Sequence, residues 1–147
     1  MTEVGFYHLT RTPLTGALPK LLARTLAAGQ RALVVGPAQT GLDAISAALW
    51  ANEAWLPHGT EADGDPDLQP IWLSTRAEAA NDARYLFLIE GASADDLDRF
   101  DRVFDLFDGR SDAAVQAARE RWKAWKEAGH ALTYWQQTDT GWQKKAG

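Results

Sequence analysis

Short runs of consecutive apolar residues, bounded by glycine or by charged residues, constrain the fold of this chain more than any other feature. Residues 31–36 and 85–90 are the clearest examples. Such a run is typical of a strand buried on both faces, as in a parallel sheet covered by helices. Because segments with helical spacing lie between the runs, the chain is predicted to be a single α/β domain. The expected architecture is a Rossmann-like, doubly wound, mostly parallel sheet with helices on both faces.

Periodicity also predicts where the individual elements lie. Leu18, Leu21, Leu22 and Leu26 recur at the spacing of one helix face, and Gly29 follows as a terminator. Further helices are expected over 41–51, 95–107 and 111–129, and strands are expected over 3–9, 31–36, 71–74, 85–90 and 132–135.

Two segments lack apolar periodicity. Residues 57–69 carry prolines, glycines and four acidic residues, a composition that predicts a flexible, solvated loop. Residues 139–147 are polar and are expected to form a C-terminal tail. No internal repeat and no second domain are indicated, so residues 1–147 are interpreted as one domain.

The composition excludes several classes of protein. There is no cysteine among the 147 residues, which excludes a disulfide framework and cysteine-based metal sites. The formal net charge of -5 disfavours strong direct DNA binding, because the summed field repels phosphate groups. The sequence shows neither a basic leader nor a long apolar stretch. Neither export nor membrane insertion is therefore expected, and a cytoplasmic location is predicted instead.

The segment from Gly36 to Gly41 lies between a predicted strand and a predicted helix, where a phosphate-binding loop would stand. Such a loop needs Lys and then Ser or Thr after its second glycine, whereas Leu42 and Asp43 follow here. The three histidines are far apart and match no metal-ligand spacing. No catalytic, cofactor-binding or metal site is predicted. A nucleotide-dependent enzyme that uses this loop and a small-molecule-binding α/β module stay open as alternatives.

Three cations of the last predicted helix share one exposed stripe. At about 100° per residue, Lys123 and Lys126 lie within about 40° of Arg119 around the helix axis. Trp122 lies at the border between this stripe and an adjacent apolar flank. A cationic stripe beside an indole suits a short acidic peptide that ends in a hydrophobic residue. An ordinary solvated helix face over a packed flank is the alternative.

Two further tryptophans mark a second candidate surface. Trp50 and Trp55 stand at the end of the second predicted helix and at the approach to the loop that follows. Tryptophan is frequent in packed interiors and is also enriched at the centres of protein interfaces. The sequence therefore leaves two interpretations, which are core packing and a binding surface for another protein.

Several stretches occur in an order and spacing that carry a family resemblance. They are residues 6–9 (Phe-Tyr-His-Leu), 49–50 (Leu-Trp), 56–58 (Leu-Pro-His), and 118–125 (Ala-Arg-Glu-Arg-Trp-Lys-Ala-Trp) with Gly129. Over essentially its whole length, the chain resembles the chi subunit of bacterial DNA polymerase III holoenzyme, a clamp-loader accessory protein.

The resemblance implies an adaptor in DNA replication that has no enzymatic activity of its own and needs no cofactor. Its implied partners are the psi subunit, the acidic C-terminal tail of single-stranded DNA-binding protein, and a DNA-repair helicase that competes with psi. A location at the replisome on the nucleoid is implied as well. The implied tail-binding residues are Arg119, Trp122, Lys123 and Lys126, and the implied psi-binding residues are Trp50 and Trp55.

Overall fold

The computed structural model describes residues 2–147, which form eight strands and three α-helices around one sheet. Short 3₁₀ turns lie at Pro66–Leu68 and Leu97–Arg99. The α-helices are α1 (Leu14–Ala27), α2 (Gln39–Ala51) and α3 (Asp112–Glu127). The strands are β1 (Glu3–Leu9), β2 (Ala32–Val35), β3 (His58–Thr60), β4 (Ile71–Ser74), β5 (Tyr85–Ile89), β6 (Arg102–Asp108), β7 (Ala131–Thr138) and β8 (Gly141–Ala146).

The strands lie in the order β3-β4-β2-β5-β6-β1-β7-β8. All neighbouring pairs are parallel except β7 and β8. The predicted α/β class and the mostly parallel sheet are therefore confirmed. The alternation of strand and helix is incomplete, because β5 leads to β6 through the turn at Leu97–Arg99 and not through an α-helix.

Helices cover both faces of the sheet because the central strands are apolar on both sides. In β2, Val34 belongs to the layer under α1 and α2, whereas Leu33 belongs to the layer under α3. Each fully buried Leu or Val contributes about 1.5–3 kcal/mol to folding. The first layer includes Leu18, Leu22, Leu42, Ile45, Leu49, Leu73 and Phe87, and the second includes Phe6, Leu86, Leu88, Val103, Phe107 and Ala118.

The helix expected over 95–107 is wrong, because residues 102–107 of this segment belong to β6 and Leu97–Arg99 forms only a short 3₁₀ turn. Its apolar run is broken by Asp105 and fits a period of two as well as it fits a helical period. In β6, Val103 faces α3 and Phe104 faces the opposite layer, so both sides of the strand are buried. Pairing with β1 on one side and β5 on the other satisfies the backbone along both edges. Tertiary pairing therefore overrides the local pattern here.

The solvated loop expected over 57–69 contains a buried strand. His58 and Thr60 of β3 are almost inaccessible, and β3 pairs in parallel with β4 at the edge of the sheet. Two of the acidic side chains in this segment accept hydrogen bonds that stabilise it. Asp63 accepts a hydrogen bond from the Thr60 backbone N–H (2.8 Å), and Glu61 accepts one from the Ser74 hydroxyl (2.8 Å).

The polar tail expected over 139–147 is also more ordered than the sequence suggests. Residues Gly141–Ala146 form β8, which pairs antiparallel with β7 and becomes the last strand of the sheet. Trp142 of β8 packs edge-on against Tyr7, with ring centroids 5.0 Å apart. A single partly buried indole thus ties an otherwise polar strand to the core. Among residues 2–147, no helix combines the length and the apolar character needed to cross a membrane.

Candidate protein-binding surfaces

Helix α3 has clear signals at both ends. The Ser111 hydroxyl accepts a hydrogen bond from the backbone N–H of Ala114 (3.2 Å), which satisfies one free donor of the first turn. Asp112 lies in the first turn and Lys126 in the last, and both charges suit the helix dipole. Gly129 has a φ of 92°, a left-handed conformation that glycine adopts without a side-chain clash. The predicted final helix is therefore confirmed.

A buried ion pair holds α3 against the sheet. Arg121 donates two hydrogen bonds to Asp105, from Nε to Oδ2 (2.6 Å) and from Nη2 to Oδ1 (2.9 Å). The side chains are 14% and 2% exposed. Burial raises the pKa of Asp105, and the hydrogen bonds and charge of Arg121 oppose that rise. The pair therefore fastens one side of α3 to β6.

Two indoles of α3 pack on the same ring of β1. The ring centroids of Trp122 and Trp125 lie 5.3 and 5.4 Å from that of Phe6. Trp122 also meets Tyr134 of β7 at 6.2 Å in an edge-on arrangement. Both indoles are only partly buried. One side of Trp122 is therefore rigidly supported, while the other is open to a ligand.

An apolar hollow lies beside Trp122, and we refer to it as the α3 pocket. Its volume is about 310 Å³. Its single charged lining residue among residues 2–147 is Arg119, so an apolar side chain could enter while a carboxylate stays near the guanidinium. The lining residues are Phe6, Phe107, Val115, Ala118, Arg119, Trp122, Tyr134 and Ala146.

The structure brings the four predicted tail-binding residues onto one side of α3, but only two of them line the pocket. Arg119 and Trp122 do so, whereas Lys123 and Lys126 are exposed and lie further along the helix. Arg119, Lys123 and Lys126, which we call the cationic stripe, take part in none of the ion pairs formed within residues 2–147. Their charges are therefore available to an external anion.

Sequence reasoning missed the sheet residues Phe107 and Tyr134 that line the pocket, and His8, which supports both of them. The Tyr134 hydroxyl and His8 Nδ1 share a hydrogen bond, and the His8 ring stacks on Phe107 with centroids 5.0 Å apart. Burial raises the pKa of Tyr134, and the positive charge of Arg119 opposes that rise. Nothing in the spacing of these residues links them to α3, because they come from three different strands.

Trp50 and Trp55 are exposed, which rules out core packing for both. Their exposed fractions are 64% and 80%. Together with Pro57 they border an open hollow of about 490 Å³ between α2 and β3, and we call this region the tryptophan surface. Large exposed apolar side chains gathered in one place are typical of protein-binding sites. The other lining residues are Asp43, Ser46, His58, Thr60, Asp63 and Gln69.

A hydrogen-bonded histidine supports the tryptophan surface from below. The His58 ring lies 4.4 Å from the ring of Trp50. His58 Nδ1 donates to the Leu56 carbonyl (2.9 Å), and Nε2 forms a hydrogen bond with the Ser46 hydroxyl (2.9 Å). This arrangement holds the imidazole in one orientation. Two carboxylates, Asp43 and Asp63, lie in the wall of the same hollow and make it acidic.

The loop from Gly36 to Gly41 is poorly suited to phosphate. The Glu90 carboxylate fills the space beside Gly41 that a Cβ atom would occupy. Asp43 also lies in the first turns of α2 and accepts a hydrogen bond from Gln39 Nε2 (3.0 Å). Two carboxylates near the start of this helix would repel a phosphate group. Within residues 2–147, no cluster of three or more potential metal-ligating side chains occurs.

The sequence comparison agrees with this description. Residues 1–133 match a family model described as DNA polymerase III chi subunit, HolC. No curated protein matches the chain. The matched region contains both the cationic stripe and the tryptophan surface, and it ends inside β7. The resemblance inferred from the sequence is thereby confirmed, and the chain belongs to the family of DNA polymerase III chi subunits.

Proposed function

We propose that this accessory subunit of DNA polymerase III acts as an adaptor between two protein partners. One partner is the acidic C-terminal tail of single-stranded DNA-binding protein, and the other is the psi subunit of the clamp loader. The observation that carries the proposal is the α3 pocket, an apolar hollow with the unpaired Arg119 in its wall. This cation and its neighbours on α3 stand out on a chain whose net charge is -5.

The tail fits the α3 pocket by charge and by shape. A terminal phenylalanine ring enters the hollow beside Trp122, while the α-carboxylate and nearby aspartates meet the cationic stripe. Hydrogen bonds between ionised groups contribute about 1.5–3 kcal/mol each when they are shielded from water. At the exposed Lys123 and Lys126 the contribution is smaller. Arg119 is therefore expected to supply the most specific polar contact.

The psi subunit fits the tryptophan surface. Its binding segment would pack apolar side chains on Trp50 and Trp55 and place basic side chains near Asp43 and Asp63. A DNA-repair helicase would compete with psi for the same indoles. Residues of α2 and β3 build this surface, whereas the α3 pocket lies across the sheet toward β7. Both partners can therefore bind at once. A link between the clamp loader and DNA covered by single-stranded DNA-binding protein requires this.

This function places the protein at the replisome in the cytoplasm, and it assigns the chain no catalytic step. The open alternatives make a different prediction, because a nucleotide-dependent enzyme or a metabolite-binding module would bind small molecules saturably. Titration with ATP and GTP tests the first alternative, and a thermal-shift screen with metabolites tests the second. Saturable nucleotide binding would favour the enzyme over the adaptor.

Charge reversal on the cationic stripe is the direct test. Lys123→Glu should weaken binding of a synthetic acidic peptide ending in phenylalanine by about tenfold or more, because it places a like charge beside the aspartates. The measurement is isothermal titration calorimetry on the intact chain. Lys20→Glu is a matched control, since Lys20 is exposed on α1 at the other face of the sheet. Equal affinities for both variants and the unaltered protein would refute the site.

A further inference from the structure

One part of the α3 pocket comes from residues that follow the segment matched by the family model. The match ends at residue 133, yet Tyr134 and Ala146 both line the pocket. Tyr134 belongs to β7 and Ala146 to β8, and they are paired opposite each other across the antiparallel ladder. Directly opposed residues point to the same face of a sheet, with Cβ atoms roughly 4.5–5.5 Å apart. The hairpin of β7 and β8 therefore forms one wall of the pocket.

An irregularity in the hairpin decides which residue reaches that wall. Trp135 pairs with Lys144, but Tyr134 pairs with Ala146, so the register shifts by one residue between them. Without the shift, Lys145 would stand opposite Tyr134. A one-residue slip moves side chains to the other face of a strand. The bulge thus places a small apolar side chain in the pocket where a regular ladder would place a lysine.

The hairpin is held in place from the opposite face. Trp135 stacks on Tyr7 at 6.2 Å, nearly parallel, and Trp142 meets Tyr7 edge-on at 5.0 Å. Both indoles belong to the layer under α1 and α2, whereas Tyr134 belongs to the layer under α3. Anchoring and pocket formation therefore use different faces of the same hairpin. This separation allows the two roles to be tested independently.

We infer that the β7–β8 hairpin is a specificity element of the α3 pocket, and that the small side chain of Ala146 sets the size of the terminal residue accepted. The inference rests on the proposed binding of an acidic peptide at this pocket. A methyl group at position 146 leaves room for an aromatic ring between the hairpin and α3. A larger side chain there would fill that space and favour a smaller terminal residue.

The test compares two synthetic acidic peptides that differ only in ending with phenylalanine or with valine. Calorimetry gives their affinity ratio for the unaltered chain, for Ala146→Leu and for Lys144→Leu. Ala146→Leu should shift the ratio toward valine by about tenfold, the discrimination that about one methylene gives in an apolar pocket. Lys144→Leu adds the same side chain opposite Trp135, and it should leave the ratio unchanged. Because both peptides carry the same charge, loss of a lysine cancels in the ratio.

The possible results distinguish a failure of the specificity role of Ala146 from a failure of the proposed function. If the unaltered chain binds the phenylalanine peptide and Ala146→Leu keeps the same ratio with an unchanged melting temperature, the specificity role is overturned. If the unaltered chain binds neither peptide, the proposed function itself fails, and the inference fails with it. Should Ala146→Leu not fold, Ala146→Gly provides the opposite test. It should improve binding of a tryptophan-terminated peptide relative to the phenylalanine peptide, and an unchanged ratio would again overturn the inference.

Discussion

The α3 pocket and the tryptophan surface use the same kind of residue in opposite ways. Trp122 is partly buried against Phe6 and forms the wall of a hollow, so it can receive a side chain from a partner. Trp50 and Trp55 project into solvent, so they are suited to enter a partner. The charges also differ, because the α3 pocket has Arg119 in its wall and the tryptophan surface has two carboxylates. An indole therefore indicates a docking site only when its exposure and its charged neighbours are known.

The largest effect should come from the ion pair beneath α3; within residues 2–147, no such pair lies under the tryptophan surface. Asp105→Ala leaves the Arg121 guanidinium uncompensated, and it should lower the free energy of unfolding by about 3–5 kcal/mol. Chemical denaturation measures this change. The control is Asp101→Ala, which breaks an exposed pair with Arg84 (2.9 Å) and should leave the free energy of unfolding nearly unchanged, because solvent screens both charges. Similar losses for the two variants would show that α3 does not depend on the buried pair.

Trp50→Ala should weaken the binding of one partner and leave the binding of the other unchanged. Truncation of an interface tryptophan commonly costs about 2 kcal/mol or more, so the affinity for psi should fall roughly thirtyfold. Binding of the acidic peptide should stay unchanged, because the α3 pocket shares none of its lining residues with the tryptophan surface. Lys123→Glu should show the reverse pattern. Calorimetry with psi and with the peptide measures both, and loss of both partners in either variant would contradict two independent surfaces.

Raising the salt concentration should produce a smaller difference between the two surfaces. Raising the ionic strength from about 0.1 M to about 1 M shortens the screening length from about 10 Å to about 3 Å. Peptide binding at the cationic stripe should therefore weaken several-fold. Binding of psi, which is proposed to use the exposed indoles, should change less. Affinities measured at both salt concentrations test this, and an equal loss for the two partners would mean that charge contributes as much at the tryptophan surface.

The parts of the candidate site that the sequence predicted are those encoded within one element. The stripe of Arg119, Lys123 and Lys126 follows from the helical period alone, and the structure leaves all three exposed. The contribution of Tyr134 and Ala146 could not be predicted, because it depends on strand pairing. The bond between His8 and Tyr134 joins residues 126 positions apart in the chain.

By itself, the sequence determined the α/β class, the extent of β1 at Glu3–Leu9, the final helix, and the family. These features depend on local periodicity, capping and motif spacing. Only the tertiary structure decided that 102–108 is a strand, that 141–146 closes the sheet, and that Asp105 holds α3 through Arg121. Those outcomes depend on which distant segment supplies the hydrogen bonds and the apolar contacts, a choice that local patterns do not encode.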